Sequence, residues 1–137
     1  MSEKVMADKA PPPVGAYPHA RKFGELLFLS GVGPRKAGQK EIPGVMQDED
    51  GAVVDYDITV QTESVISNIR AILEASGSSL EKVIDVQCFL TNMKEDFEGF
   101  NAVYKKHFEA IGATRTTVEV GALPTPIHVE FKVIASI

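Results

Sequence analysis

Apolar and polar positions along this chain recur with two periods. In the last run Ile127, Val129, Phe131, Val133, Ala135 and Ile137 alternate with His128, Glu130, Lys132, Ile134 and Ser136, which predicts a strand with one almost wholly apolar face. Alternation also predicts a strand over 80–91, where Ile84, Val86, Cys88 and Leu90 share a side. The apolar run 25–31 reads as a strand, entered from a turn at 21–24 and ended by Ser30-Gly31. Residues 32–50 are loop-like, with room for a short hairpin strand at 42–46, and Asp50-Gly51 turns into a strand at 52–54.

Two stretches follow helical spacing instead. Ile58, Thr62, Val65, Ile69, Ile72 and Leu73 lie on one helix face, with Asp57 as N-cap and Ser76-Gly77 as the stop. Phe97, Phe100, Tyr104 and Phe108 define a second helix, for which Asp96 is the expected cap. The predicted order is strand, strand, helix, strand, helix, strand, strand: an α+β sandwich with two helices on one face of a mixed sheet. Two helices cover only one face. The other carries Val, Phe and Ile beside charges, and is expected to pack against copies of the chain in a small symmetric oligomer.

At 137 residues the chain is expected to be a single domain, 1–137, with residues 1–13 as an extended lead-in through Pro11-Pro12-Pro13. The formal net charge of -5 argues against nucleic acid as the main partner, because such binding rests on clustered Lys and Arg. No signal-like or membrane-spanning run stands out, so no membrane partner is expected. The single cysteine, Cys88, rules out an internal disulfide and reads as a buried, inert thiol. A reducing cytoplasm is the expected location.

Two charges interrupt the sheet pattern. In the run 114–120, Thr114, Thr116, Val118 and Val120 fall on one side, with Arg115, Thr117 and Glu119 on the other. If this strand and the last one share a sheet and a core, Arg115 and Glu130 are expected on the same, opposite face. A cation and a carboxylate there suit a small anionic substrate; a solvated surface ion pair is the competing reading. The loop 14–20 adds Tyr17 and His19. His19, His107 and His128 have no ligand spacing, Ser30 has no G-x-S-x-G elbow, and neither G-x-G-x-x-G nor a P-loop is present. No metal and no cofactor are expected.

Gly15-Ala16-Tyr17, Phe28-Leu29-Ser30-Gly31, the segment 68–73, the segment 97–108, Thr114-Arg115-Thr116-Thr117-Val118-Glu119-Val120, Leu123-Pro124 and Val129-Glu130 together resemble the RidA (YjgF/UK114) family of enamine/imine deaminases. The resemblance runs from Gly15 onward. It implies a chorismate-mutase-like α+β subunit, a homotrimer, and active sites in clefts between subunits. The insert 35–57 and the Leu123-Pro124-Thr125-Pro126 turn look like the 2-aminomuconate deaminase branch, which acts in aromatic compound degradation. Thr117 stands where the family usually has cysteine, and Pro18-His19 replaces Ser-Gln.

The resemblance assigns catalysis to Glu130 and Arg115, and substrate binding to Arg115, Tyr17, Ser30, Gly31 and Thr117. An arginine gives a planar two-point grip on a carboxylate. A partly enclosed glutamate has a raised pKa and can relay protons and activate water. Backbone N–H groups near Gly31 and Thr117 can add polar contacts, and Tyr17 can close the pocket. Packing roles for Tyr17, Ser30 and Thr117 stay open, and Asn101 is expected to be structural. The function expected is cofactor-free hydrolysis of a small carboxylate-bearing enamine or imine with release of ammonia, the expected substrate being 2-aminomuconate, converted to 4-oxalocrotonate. The alternatives are a general 2-iminobutanoate/2-iminopropanoate deaminase, a non-catalytic small-carboxylate-binding or chaperone-like module, or an endoribonuclease.

Overall fold

Each helix starts where a side-chain oxygen takes up amides that the first turn leaves free. The structure, a computed structural model, describes residues 2–137. Helix α1 (Ile58–Ala75) is capped by Asp57, which accepts from the amides of Thr59 and Val60, and it stops at Ser76 before Gly77 at φ 79°. Helix α2 (Met93–Phe108) begins earlier than expected. Asn92 is its cap and accepts from the Glu95 amide at 3.2 Å, whereas Asp96 is buried in the first turn, where it accepts from the Tyr56 hydroxyl at 2.7 Å.

The strands among the described residues are β1 (Ser2–Val5), β2 (Ala20–Phe23), β3 (Leu26–Leu29), β4 (Val45–Gln47), β5 (Val53–Tyr56), β6 (Val83–Leu90), β7 (Thr114–Glu119) and β8 (Val129–Ser136). Strands β4 and β5 form a separate hairpin, and the others make a six-stranded sheet in the order β1-β2-β3-β8-β6-β7. All its neighbours run antiparallel except β6 and β7, which are parallel because α2 carries the chain between them.

Three local expectations change. Ser2–Val5, placed in the lead-in, pairs with β2 as an edge strand. Ala20–Phe23, read partly as a turn, is a strand joined to β3 through Gly24-Glu25, with Gly24 at φ 61°. Its Arg21 and Lys22 obscured the alternation, as charged side chains do near a sheet margin. In β6 the pairing with β8 shifts register between Val83 and Asp85, so Val83 takes the core position and Ile84 turns outward at 45% exposure.

Both helices pack on one face of the sheet, as the periodicity implies. Leu27 and Leu29 of β3, Val86 and Leu90 of β6, and Phe131 and Val133 of β8 are buried there with Ile66 and Ile69 of α1 and Phe100 of α2. Phe100 meets Phe131 edge to face at 5.8 Å. Each such side chain contributes about 1.5–3 kcal/mol on burial. The opposite face leaves Phe23, Leu26, Phe28, Ile84 and Val118 exposed. Among the described residues, no helix is long and apolar enough to cross a membrane.

Candidate active site

Strand register decides which charges share a face. Across β6 and β8, Phe131 lies opposite Cys88 and Glu130 opposite Phe89; across β6 and β7, Thr117 lies opposite Cys88 and Arg115 opposite Val86. Residues paired across a ladder point to the same side. Val86, Cys88 and Phe131 are fully buried under the helices, so Arg115 and Thr117 face α2 while Glu130 faces away. The expectation that Arg115 and Glu130 emerge together is therefore wrong within one chain. Strand β7 lies at the sheet margin, where α2 covers the Arg115 side and Val118, expected on the core side, is left 40% exposed.

Helix α2 presents Phe97, Phe100, Asn101 and Tyr104 to Arg115, a spacing that gathers them on one helix face. The guanidinium carbon lies 5.9, 5.4 and 4.6 Å from the Phe97, Phe100 and Tyr104 ring centres. Arg115 Nη1 donates to Asn101 Oδ1 at 2.7 Å. Asn101, expected to be structural, thus reaches the cation directly. Among the described residues no carboxylate pairs with Arg115. The Thr117 and Tyr104 hydroxyl oxygens beside this margin are buried without a hydrogen-bond partner. Burial pushes the Cys88 thiol up to about 12, consistent with an inert sulfur.

Glu130 belongs to the other half. A cavity of about 150 Å³ is lined by Tyr17, His19, Ser30, Gly31, Arg35 and Glu130, among others. Burial raises the Glu130 pKa above its ordinary value, and among the described residues its carboxylate has no hydrogen-bond or ionic partner. Gly31 lies directly beneath it: a Cβ at that position would stand 2.6 Å from Glu130 Oε2. Lys132, two positions along the same strand face, donates to the Leu29 carbonyl instead. The Ser30 hydroxyl donates to the Pro18 carbonyl at 2.8 Å, so it holds the loop that carries Tyr17. Tyr17 is 40% exposed.

His19 explains how the N-terminal segment reaches the cavity. Its Nδ1 accepts from the Ala7 amide at 2.8 Å, and its Nε2 lies 2.7 Å from the Pro11 carbonyl. An amide only donates and a carbonyl only accepts, so the ring is the neutral Nε2–H tautomer. It pins the chain on both sides of residues 8–10, and Pro11, Pro12 and Pro13 then wall the cavity. A lone imidazole in the sequence carried no sign of this.

A second polar cluster is structural. Tyr56 of β5 stacks on His128 with ring centres 3.5 Å apart and donates to Asp96 of α2. Burial lowers the His128 pKa and raises that of Asp96, and the Tyr56 hydroxyl offsets part of the latter. The contact joins the β4–β5 hairpin to the main body.

The structure thus brings Tyr17, Ser30, Gly31 and Glu130 together in one chain and sets Arg115 and Thr117 on the other side of the sheet. Sequence reasoning gave no site role to Asn101, Arg35 and His19. The helical spacing of Asn101 to the aromatic positions of α2 was the one signal available for it.

Residues 7–137 match the family described as Endoribonuclease L-PSP. A RutC family protein of Saccharolobus solfataricus is 38% identical over 135 residues, covering 98% of each chain. Reactive Intermediate Deaminase A, chloroplastic, of Arabidopsis thaliana is 35% identical over 135 residues, covering 98% of this chain and 66% of that protein. Among solved structures, E. coli TdcF with bound serine aligns with a TM-score of 0.83 at 29% identity, over 98% of both chains.

Proposed function

Since the chain belongs to the RidA (YjgF/UK114) family, described as Endoribonuclease L-PSP, we propose that it hydrolyses a small carboxylate-bearing imine or enamine, releasing ammonia. The observation that carries this reading is the unpartnered, half-buried carboxylate of Glu130 over Gly31 in a cavity. Burial raises the Glu130 pKa above its ordinary value, which makes the carboxylate a stronger proton acceptor than a solvated one and keeps its acid form more available as a donor. The carboxylate takes a proton from water as the oxygen bonds to the imine carbon and passes that proton to nitrogen, giving a carbinolamine; it then takes the hydroxyl proton and delivers it to nitrogen as the C–N bond breaks, the carbonyl forms and ammonia leaves. An enamine first gains a proton at carbon from the same acid.

Arg115 is the grip for the substrate carboxylate. Because it faces the other side of the sheet, this reading needs a second copy to bring its β7 margin, with Arg115, Asn101 and Thr117, to the cavity mouth. The exposed apolar residues of the outer face supply the surface on which copies pack, and a homotrimer is the assembly proposed. Tyr17 closes the mouth. The names of the Arabidopsis deaminase and of TdcF with bound serine support a small amino-acid-derived substrate.

A 2-iminopropanoate-like compound and 2-aminomuconate are both within this class. The insert 35–57 and the turn at Leu123-Pro124 are what favour the second, and a substrate panel decides between them. RNA cleavage is the weaker reading, because a net charge of -5 opposes binding of a polyanion.

The test is ammonia release from imines generated in situ. Glu130→Gln and Arg115→Ala should each lower it at least about 100-fold while the protein stays folded. Mixing the two inactive variants under conditions of subunit exchange should restore activity, because some hybrid clefts then hold both native groups. Full activity in either variant removes the assigned roles; inactive singles without recovery on mixing remove the shared cleft. Saturable binding with no turnover would make the protein a carrier of small carboxylates instead.

A further inference from the structure

We infer that Arg35 sets the specificity of the Glu130 cavity by receiving a second, distal carboxylate, so that the preferred substrates are dicarboxylic imines. The inference rests on the deaminase reading and names its substrate class. Arg35 lines the same cavity as Glu130. Its guanidinium makes a single long contact, 3.4 Å to the Pro12 carbonyl, and no carboxylate among the described residues pairs with it. A guanidinium on the cavity wall with so little of its donor capacity used is free to receive an anion. Glu130 is not that anion: no ion pair joins the two, and burial alone shifts the Glu130 carboxyl, with no cation nearby to offset it. The acid and the cation line the same cavity without pairing with each other.

The segment that carries Arg35 is built to hold it still. Asn68 of α1 donates through Nδ2 to the carbonyls of Gly33 at 3.0 Å and Arg35 at 2.6 Å. Ser64 of the same helix donates to the Pro34 carbonyl at 2.6 Å. Both side chains are 5% exposed. Burying polar groups inside a helix face is unfavourable unless they are bonded, and here they fix three successive carbonyls of one loop, while the Pro34 ring restrains φ. A loop that merely closed the cavity needs neither these anchors nor a cation at its tip. Anchored in this way, the backbone at Arg35 is fixed on the wall of the Glu130 cavity, and the guanidinium supplies the planar fork that recognition of a second carboxylate requires.

Two imines made in situ by amino-acid oxidases provide the test: the dicarboxylic imine from glutamate and the monocarboxylic imine from alanine, each followed by trapping with semicarbazide. The ratio of their kcat/KM values is the readout, so a general loss of activity cancels. Arg35→Leu should lower the dicarboxylic-to-monocarboxylic ratio about ten- to a hundredfold. Arg35→Lys should lower it less, because it keeps the charge and loses the fork, and it carries the test if the leucine variant is unstable. Calorimetric titration with glutarate and butyrate reads the site without turnover, and Arg35→Leu should weaken glutarate selectively. A wild-type enzyme that consumes both imines, with ratio and glutarate affinity unchanged within twofold in the variants, overturns the role of Arg35 and leaves the deaminase standing. A wild-type protein inert toward both imines but binding glutarate through Arg35 does the reverse.

Discussion

Replacing Gly31 by alanine is the most direct probe of the Glu130 half-site, because the added methyl meets one group almost alone. The nearest atoms to that Cβ would be Glu130 Oε2 at 2.6 Å and Cδ at 3.0 Å, and backbone strain does not enter, since Gly31 is not among the glycines at positive φ. Ordinary contact begins near 3.4 Å, so the carboxylate must retreat by about 0.8 Å. It is the far end of a rotatable side chain with no hydrogen bond to hold it, so the retreat costs the fold little, within about 1 kcal/mol. Catalysis is less tolerant: displacing a reacting group by about 1 Å costs on the order of a hundredfold. Gly31→Ala should therefore lower kcat for ammonia release by about 30- to 100-fold, with an unchanged melting temperature. Steady-state kinetics beside calorimetry checks both. Activity within twofold of wild type would refute the placement of Glu130 at the chemistry, and a collapsed melting temperature would refute the view that only this side chain yields.

Two further outcomes follow from buried carboxylates. The folded-state pKa of Glu130 lies above its unfolded value, so the folded protein holds the proton more tightly and stability falls as pH rises from the ordinary carboxylate range through the raised pKa. Glu130→Gln lacks that penalty: its melting temperature should match wild type below about pH 4 and exceed it at pH 7, and a variant less stable than wild type at pH 7 would contradict the burial argument. Tyr56→Phe removes the hydroxyl that reaches Asp96 and should cost about 1–3 kcal/mol in urea unfolding at pH 7, less once Asp96 is protonated in acid; no loss at pH 7 would show that the hairpin is not fastened there.

Much of the fold was legible because burial imposes period. The helix faces around Val65 and Phe100 and the ladder from Val129 to Ala135 follow directly from alternation or helical spacing, as does the placement of both helices on one side of the sheet. Caps were readable where a residue had one use, as for Asp57, and misread where a carboxylate had two. Asp96 has the chemistry of a cap and is instead the acceptor for Tyr56, forty residues earlier in the chain, while Asn92 caps α2. Ile84 was misplaced because a single bulge inverts a strand's facing, and no residue type announces that slip.

The site divides in the same way. Residue chemistry alone pointed to Arg115 and Glu130 as charges with work to do, since a guanidinium and a carboxylate inside apolar runs are unfavourable without one. Whether they share a face depends on which strand β7 pairs with and in which register, and a long-range pairing leaves no mark in the local sequence. Only the tertiary structure, by setting Arg115 opposite Val86 and Glu130 opposite Phe89, turned the two charges to opposite sides and made a neighbouring copy part of the proposed site. It also brought Arg35 and the His19-pinned proline segment to the cavity of Glu130, a meeting of residues distant in the chain that chain order does not encode.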